Sequence, residues 1–136
     1  MALKRYEGSC HCKNIQYEVM LDLNEGTGRC NCSYCAKTRN WSAKTTPEKF
    51  KWVKGANTTG SYGFRENSQN KHHFCKDCGV TVCTIGFVKE TGGDYVSVRI
   101  GTIDNISAEE LASLSIMYLD GLHDNWFHEP KVVSYL

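Results

Sequence analysis

The chain has 136 residues, a length for one compact domain and not two. Its net charge of +1, from 16 basic and 15 acidic side chains, argues against a protein that holds nucleic acid through bulk positive charge. Hydrophobic residues at 40% and charged residues at 23% exclude a disordered chain, and no apolar run approaches the roughly 20 residues of a membrane-spanning helix. Met1 to Gly8 carries a Lys-Arg pair but no apolar core of a secretory signal. A cytoplasmic location is therefore expected, with the nucleus as the other compartment where thiols stay reduced.

Ile15, Tyr17, Val19 and Leu21 alternate with Gln16, Glu18 and Met20, which predicts a strand. Asn24 to Gly28 has turn chemistry, and Tyr34 to Lys37 is predicted to form a short helical turn. Thr46-Pro47-Glu48 has the form of a helix start, with Pro at the first helical position and Gly55 ending a brief segment. Asn57 to Asn70 predicts a strand running into a hairpin loop. Gly79 to Val88 and Tyr95 to Ile103, rich in Val, Ile and Thr, predict two antiparallel strands joined across Glu90 to Asp94. Ser107-Ala108-Glu109-Glu110 is a capping box that starts one short helix near Ala108. Ile116 to Leu119 predicts a further strand, and Trp126, Phe127 and Pro130 are expected to cover one end of the sheet. The fold class is mainly β: one antiparallel, β-rich domain over residues 1–136, with its core at about 6–130.

Eight cysteines stand at positions 10, 12, 30, 32, 35, 75, 78 and 83. Seven fall into three tight groups: Cys10-His11-Cys12, Cys30-Asn31-Cys32-Ser33-Tyr34-Cys35 and Cys75-Lys76-Asp77-Cys78. A disulfide framework staples distant loops and spreads its cysteines. Groups spaced by two and three residues suit a metal. Tetrahedral zinc takes thiolates at about 2.3 Å, which sets its sulfurs only ~3.8 Å apart. Gly79, directly after Cys78, fits the tight turn of such a knuckle. Seven ligands divide as four plus three, a closed structural site and an open catalytic one. Spacing alone leaves other partitions open. It also leaves Cys32-x-x-Cys35 open as a redox pair, although no βαβ pattern surrounds it. Cys83, inside Val80 to Ile85, is expected to be a buried, unliganded thiol. His72 and His73 closely precede Cys75 and are candidates to support a ligand; His11, His123 and His128 are expected to be exposed or packing residues.

Gly8-Ser9-Cys10-His11-Cys12, Cys30-Asn31-Cys32-Ser33-Tyr34-Cys35 and Phe74-Cys75-Lys76-Asp77-Cys78-Gly79, in that order, resemble the glutathione-dependent formaldehyde-activating enzyme family, which includes the centromere protein V-like proteins. Gly101-Thr102-Ile103-Asp104 resembles the family's later G-T-hydrophobic-D element. The resemblance covers Tyr6 to Trp126. It implies a zinc-built, β-tent-like fold with two zinc ions. In that assignment Cys10, Cys12, Cys75 and Cys78 hold a structural zinc. Cys30, Cys32 and Cys35 hold a catalytic one. The implied activity is carbon–sulfur lyase or synthase chemistry on S-hydroxymethylglutathione, the adduct of glutathione and formaldehyde. The implied partner is a small-molecule thiol, glutathione, with no membrane or nucleic-acid partner expected. Arg29, Lys37 and Arg39 are candidates to attract its carboxylates, with Arg99 and Asp104 as further candidates. Two positions depart from the family pattern: Lys13 stands where Gly is frequent, and Ala36 intervenes before the basic Lys37. A zinc-stabilised scaffold or protein-binding module is the competing reading, since fold does not fix function.

Overall fold

The computed structural model describes residues 3–136. Ten strands and two short helices follow in chain order: β1 (Lys4–Ser9), β2 (Gln16–Leu21), β3 (Thr27–Cys30), α1 (Ser33–Thr38), β4 (Trp41–Thr45), β5 (Phe50–Lys54), β6 (Thr59–Tyr62), β7 (Lys71–Cys75), β8 (Thr81–Val88), β9 (Gly93–Arg99), α2 (Ala108–Ser113) and β10 (Ile116–Leu119). They form a three-stranded sheet, β1-β2-β5, and a seven-stranded sheet, β10-β3-β4-β9-β8-β7-β6.

The alternation in β2 does what it predicts: Tyr17, Val19 and Leu21 are buried. They pack with Tyr6 and Ile15 against Ala43, Val82, Cys83, Val96 and Val98 of the larger sheet. Burial of such side chains contributes roughly 1.5–3 kcal/mol each. Cross-strand partners share a face. Ala43, Val98 and Cys83 are paired across β4, β9 and β8 on the core side. The opposite face carries a polar row: Gly28 opposite Ser42, Ser42 opposite Arg99, Thr84 opposite Ser97 and His72 opposite Thr84. That row is the floor on which the site below is built.

Several elements differ from the expectation. Two α-helices stand among the described residues where one was expected, because the turn at Tyr34 to Lys37 is part of a six-residue helix. The segment after Thr46 is a 3-10 turn of Pro47–Lys49 between β4 and β5, where the chain crosses from one sheet to the other. Thr27 and Gly28, expected in a turn, begin β3. β10 runs parallel to β3, from Ile116 opposite Thr27 to Leu119 opposite Cys30, while the other strand pairs are antiparallel. The long return through α2 makes a parallel approach possible. The capping box is half formed. Ser107 accepts the Glu110 N–H at 3.0 Å, but the Glu110 carboxylate instead accepts from the hydroxyl of buried Tyr6 at 2.6 Å and from Lys4 at 3.3 Å. A buried tyrosine hydroxyl needs a partner, and Glu110 supplies it. In the tail, Pro130 is buried but Phe127 is 92% exposed, so Phe127 covers nothing.

Candidate metal centres and active site

The first centre forms where two turns meet. Cys10 and Cys12 follow β1, Cys75 ends β7, and Cys78 lies in the turn before β8. Lys13 N–H donates to Cys10 O and Cys10 N–H to Ile15 O, closing one knuckle. Gly79, at φ 80°, donates to Cys75 O at 2.8 Å, and Cys75 N–H to Val80 O at 3.0 Å, closing the other. The four sulfurs lie within 4.8 Å of one another. Cys10 and Cys12 Sγ are 3.7 Å apart, and Cys12 and Cys75 Sγ are 3.6 Å apart. A disulfide would need about 2.05 Å; these separations match thiolates sharing one tetrahedral ion. Backbone N–H groups point at the sulfurs, from Ile15 to Cys10 at 3.3 Å and from Asp77 and Cys78 to Cys75 at 3.4 and 3.5 Å. Such donors favour thiolate over thiol. The Cys78 thiol is lowered to about 6, first by the Val80 N–H and then by that of Cys12.

Lys13 occupies the left-handed region at φ 70°, which explains why glycine suits that position. Its ammonium donates to Ser9 Oγ at 3.0 Å, and Ser9 donates to Asp104 at 2.6 Å. Asp104 therefore stands beside the first centre and belongs to its surroundings.

The second centre uses the end of β3 and the start of α1. Cys30 closes the strand. Cys32 is the N-cap of α1, its sulfur accepting the Cys35 N–H at 3.4 Å, and Cys35 sits one turn in. The three sulfurs lie within 4.8 Å of one another, and among the described residues no fourth Cys, His, Asp or Glu joins them. Cys32 N–H donates to Cys30 Sγ at 3.3 Å, and the Asn40 side-chain amide donates to Cys35 Sγ at 3.2 Å. Hydrogen bonds from the Cys30 and then the Cys35 thiol hold Cys32 well below the ordinary thiol range, while Cys30 and then Cys32 push Cys35 up. All eight cysteines are free. Both clusters have the donor set and the spacing to hold a metal ion.

The second centre opens into a pocket of about 210 Å³ whose wall includes His72, Tyr95, Ser97, Asn40 and Trp126. His72 comes from the polar row. Its Nδ1 lies 2.8 Å from Thr84 Oγ1 and 3.3 Å from Arg99 Nη2. A guanidinium only donates, so Nδ1 accepts and the ring proton sits on Nε2. Burial, then the charge of Arg99, lowers His72 to about 4, which keeps the ring neutral. Tyr34 of α1 stacks on it with ring centroids 3.8 Å apart. Behind the cluster, Asn31 donates to buried Asp120 at 2.9 Å and accepts from Leu122 N–H at 2.9 Å. This ties the Cys30 loop to the segment after β10.

His72 therefore lies in the pocket of the Cys30 cluster, not beside Cys75 as its place in the chain suggested. Its neighbour His73 faces the other way, edge-on to Trp52 at 6.1 Å. Arg29, Arg39 and Arg99 line clefts beside the second centre; Lys37 is exposed and lines none of them. Cys83 is fully buried, and burial pushes its thiol up to about 12, as expected of a packing residue. Asn40 carries no motif and nothing in the sequence marks it; Tyr34 stands inside the second cysteine group and Trp126 in the tail, where no local spacing announces their places against His72 and in the pocket wall.

Residues 5–120 match the family described as glutathione-dependent formaldehyde-activating enzyme. The chain belongs to this family. The match spans both cysteine clusters and ends at Asp120, the buried carboxylate behind Cys30. The fold is also similar to that of a Rhodobacter sphaeroides protein known from its crystal structure, with a TM-score of 0.67 and 23% identity over 82% of this chain and 99% of that one. The family's description points to glutathione- and formaldehyde-related activity. Among the described residues, no helix is long and apolar enough to cross a membrane.

Proposed function

We propose that this chain is a zinc-dependent carbon–sulfur lyase or synthase that joins glutathione to formaldehyde as S-hydroxymethylglutathione, or takes that adduct apart. The observation that carries the reading is the inequality of the two clusters: four sulfurs complete one site, whereas three sulfurs face a pocket. Closed tetrahedral sites are structural, and three-ligand sites leave a position for chemistry. Cys10, Cys12, Cys75 and Cys78 would hold the structural zinc. Cys30, Cys32 and Cys35 would hold the catalytic one. Zinc at the open site supplies Lewis acidity, which lowers the pKa of a thiol or polarises an aldehyde oxygen.

The chain's own residues prepare that site. The Cys32 and Cys35 N–H groups and the Asn40 amide stabilise negative charge on the sulfurs. His72, fixed by Thr84 and Arg99, places a neutral N–H donor in the pocket wall. Trp126 lines the same wall, and Tyr34 holds the His72 ring by stacking on it. In the synthetic direction a sulfur–carbon bond forms, the carbonyl π bond breaks, and the thiol proton ends on the new hydroxyl. No oxidant or reductant is required. Eight free thiols suit a reducing compartment such as the cytoplasm.

The test is adduct formation from glutathione and formaldehyde, measured above the uncatalysed rate, in wild type and in folded Cys32→Ser and Cys35→Ser. Loss of the excess rate in both variants is expected. An unchanged excess rate would remove the catalytic role of the cluster, and no excess in wild type would leave a zinc-stabilised scaffold.

A further inference from the structure

The three sulfurs of the open cluster are not held alike. Cys30 is buried, and its sulfur is pressed against Gly121, where an added Cβ would lie 2.7 Å from it. Cys32 and Cys35 are half-buried and share one turn, Cys32 as the N-cap of α1 and Cys35 inside it. Cys32 Sγ accepts the Cys35 N–H at 3.4 Å, so it sits directly over the backbone of Cys35. The two sulfurs are within 4.8 Å of each other. A disulfide sets them about 2.05 Å apart, and side-chain rotation within the turn closes that gap. A bond from Cys32 to Cys30 would instead close a tighter ring, with one intervening residue in place of two, and would pull the Cys30 sulfur off Gly121. All three sulfurs line the pocket of about 210 Å³, which admits a small solute. A coordinating cysteine is deprotonated, and the thiolate is the form that a peroxide oxidises.

We propose that Cys32 and Cys35 are a reversible oxidation site: a hydroperoxide joins them as a disulfide, which takes two of the three sulfurs from the open cluster and switches its chemistry off. The proposal rests on the function above for what is switched off, and adds the regulation of that centre. The Cys32 thiolate attacks one peroxide oxygen; a sulfur–oxygen bond forms, the O–O bond breaks, and the leaving hydroxide takes a proton to become water. The Cys35 thiolate then attacks the Cys32 sulfur; the S–S bond forms and a second hydroxide leaves as water. The two sulfurs lose two electrons and the peroxide gains them. Cys30 is then the single sulfur left, too few to hold an ion. A dithiol reverses the bond by exchange. Cys12 of the closed cluster is also exposed, so access alone does not separate the two clusters. Coordination does: four sulfurs complete the closed site. Two of them, Cys10 and Cys75, belong to the core, so a disulfide there would break both the metal site and the packing. The Cys32–Cys35 bond stays within one turn and leaves the fold intact.

The test treats the full chain, loaded with zinc and freed of reductant, with one equivalent of hydrogen peroxide. A chromogenic chelator reads zinc release, and non-reducing peptide mapping by mass spectrometry locates the bond. One zinc ion per chain should be released, the other should stay, and Cys32 and Cys35 should be cross-linked with the mass lower by two hydrogens. The cooperative melt should survive, and dithiothreitol with added zinc should restore the starting state. Cys35→Ser should stop at a sulfenic acid on Cys32, trapped by dimedone, whereas Cys30→Ser should still form the bond. If the open cluster of the isolated protein carries no zinc, the disulfide map alone decides. A first disulfide that involves Cys10, Cys12, Cys75 or Cys78, release of both ions together, or thiols that stay reduced or pass to sulfinic acid without a disulfide would overturn the proposal. A reversible Cys32–Cys35 bond in a protein that does not accelerate adduct formation would keep the oxidation site and reject the proposed function. Accelerated formation in a protein whose open cluster resists peroxide would do the reverse.

Discussion

Serine at position 32 and serine at position 75 should have opposite consequences, although each removes one sulfur. Cys32 caps α1, and its sulfur accepts the Cys35 N–H of that helix at 3.4 Å. Serine is a preferred N-cap and accepts the same bond, so the cap should change by no more than about 0.5 kcal/mol. In a chain of this length that is about 2 °C in melting midpoint. Cys75 is 1% exposed and belongs to the core. Its sulfur accepts two backbone N–H groups and lies 3.6 Å from Cys12 Sγ. A structural zinc contributes about 10–16 kcal/mol, as much as the roughly 5–15 kcal/mol that holds a whole domain folded. Elemental analysis of zinc per chain, followed by thermal melts and turnover, separates the two cases. Cys32→Ser should be folded, carry one zinc and lack turnover, whereas Cys75→Ser should have no cooperative melt. A Cys75→Ser protein melting like wild type would refute the closed-site reasoning. A Cys32→Ser protein as unfolded as Cys75→Ser would refute the division of roles.

Other outcomes follow from single contacts. Gly8→Ala would set a Cβ 2.1 Å from Cζ of buried Tyr17, whose hydroxyl is engaged with Thr102 at 2.7 Å; urea unfolding should show a loss of about 1–3 kcal/mol, and an unchanged midpoint would contradict the packing. Lys13→Gly relieves a left-handed residue at φ 70°. That conformation costs an L-residue about 1–2 kcal/mol, glycine's unfolded-state entropy returns about 0.5–1 kcal/mol, and the midpoint should rise slightly; a fall would mean that the exposed pair with Asp104 outweighs the backbone. His72 is lowered to about 4 in the folded state, against about 6.5 unfolded. The unfolded chain therefore binds its proton first, so the stability from neutral His72 is complete above about 6.5 and is lost as pH falls towards 4. Between pH 7 and pH 5, wild type should lose more stability than His72→Gln in urea titrations, and parallel losses would show that His72 titrates normally.

Much of this was legible in the chain because it depends on near neighbours. Alternation marks β2, where successive side chains point to opposite faces, and β-branched Val, Ile and Thr mark β8 and β9. The cysteine knuckles are local turns, so their spacing already announces them. The gaps are equally physical. β4 and β5 are short strands of different sheets joined at a corner, and the alternation of Trp41-Ser42-Ala43-Lys44 and of Phe50-Lys51-Trp52 is too brief to announce either. His72 is three residues from Cys75, but the pleat sends it to the face opposite His73, where it meets Tyr34 and Arg99.

The sequence by itself determined the β-rich class, the cysteine groups and the family. Only the tertiary structure decided which groups meet and what surrounds them. Cys10 and Cys12 reach Cys75 and Cys78 because the turn after β1 is set against the end of β7. Asp120 and Trp126 come to Cys30 because β10 lies parallel to β3. Arg99 joins Arg29 and Arg39 through the order β3-β4-β9. These neighbours are dozens of residues apart in the chain, and strand order, which no local spacing encodes, is what brings them together.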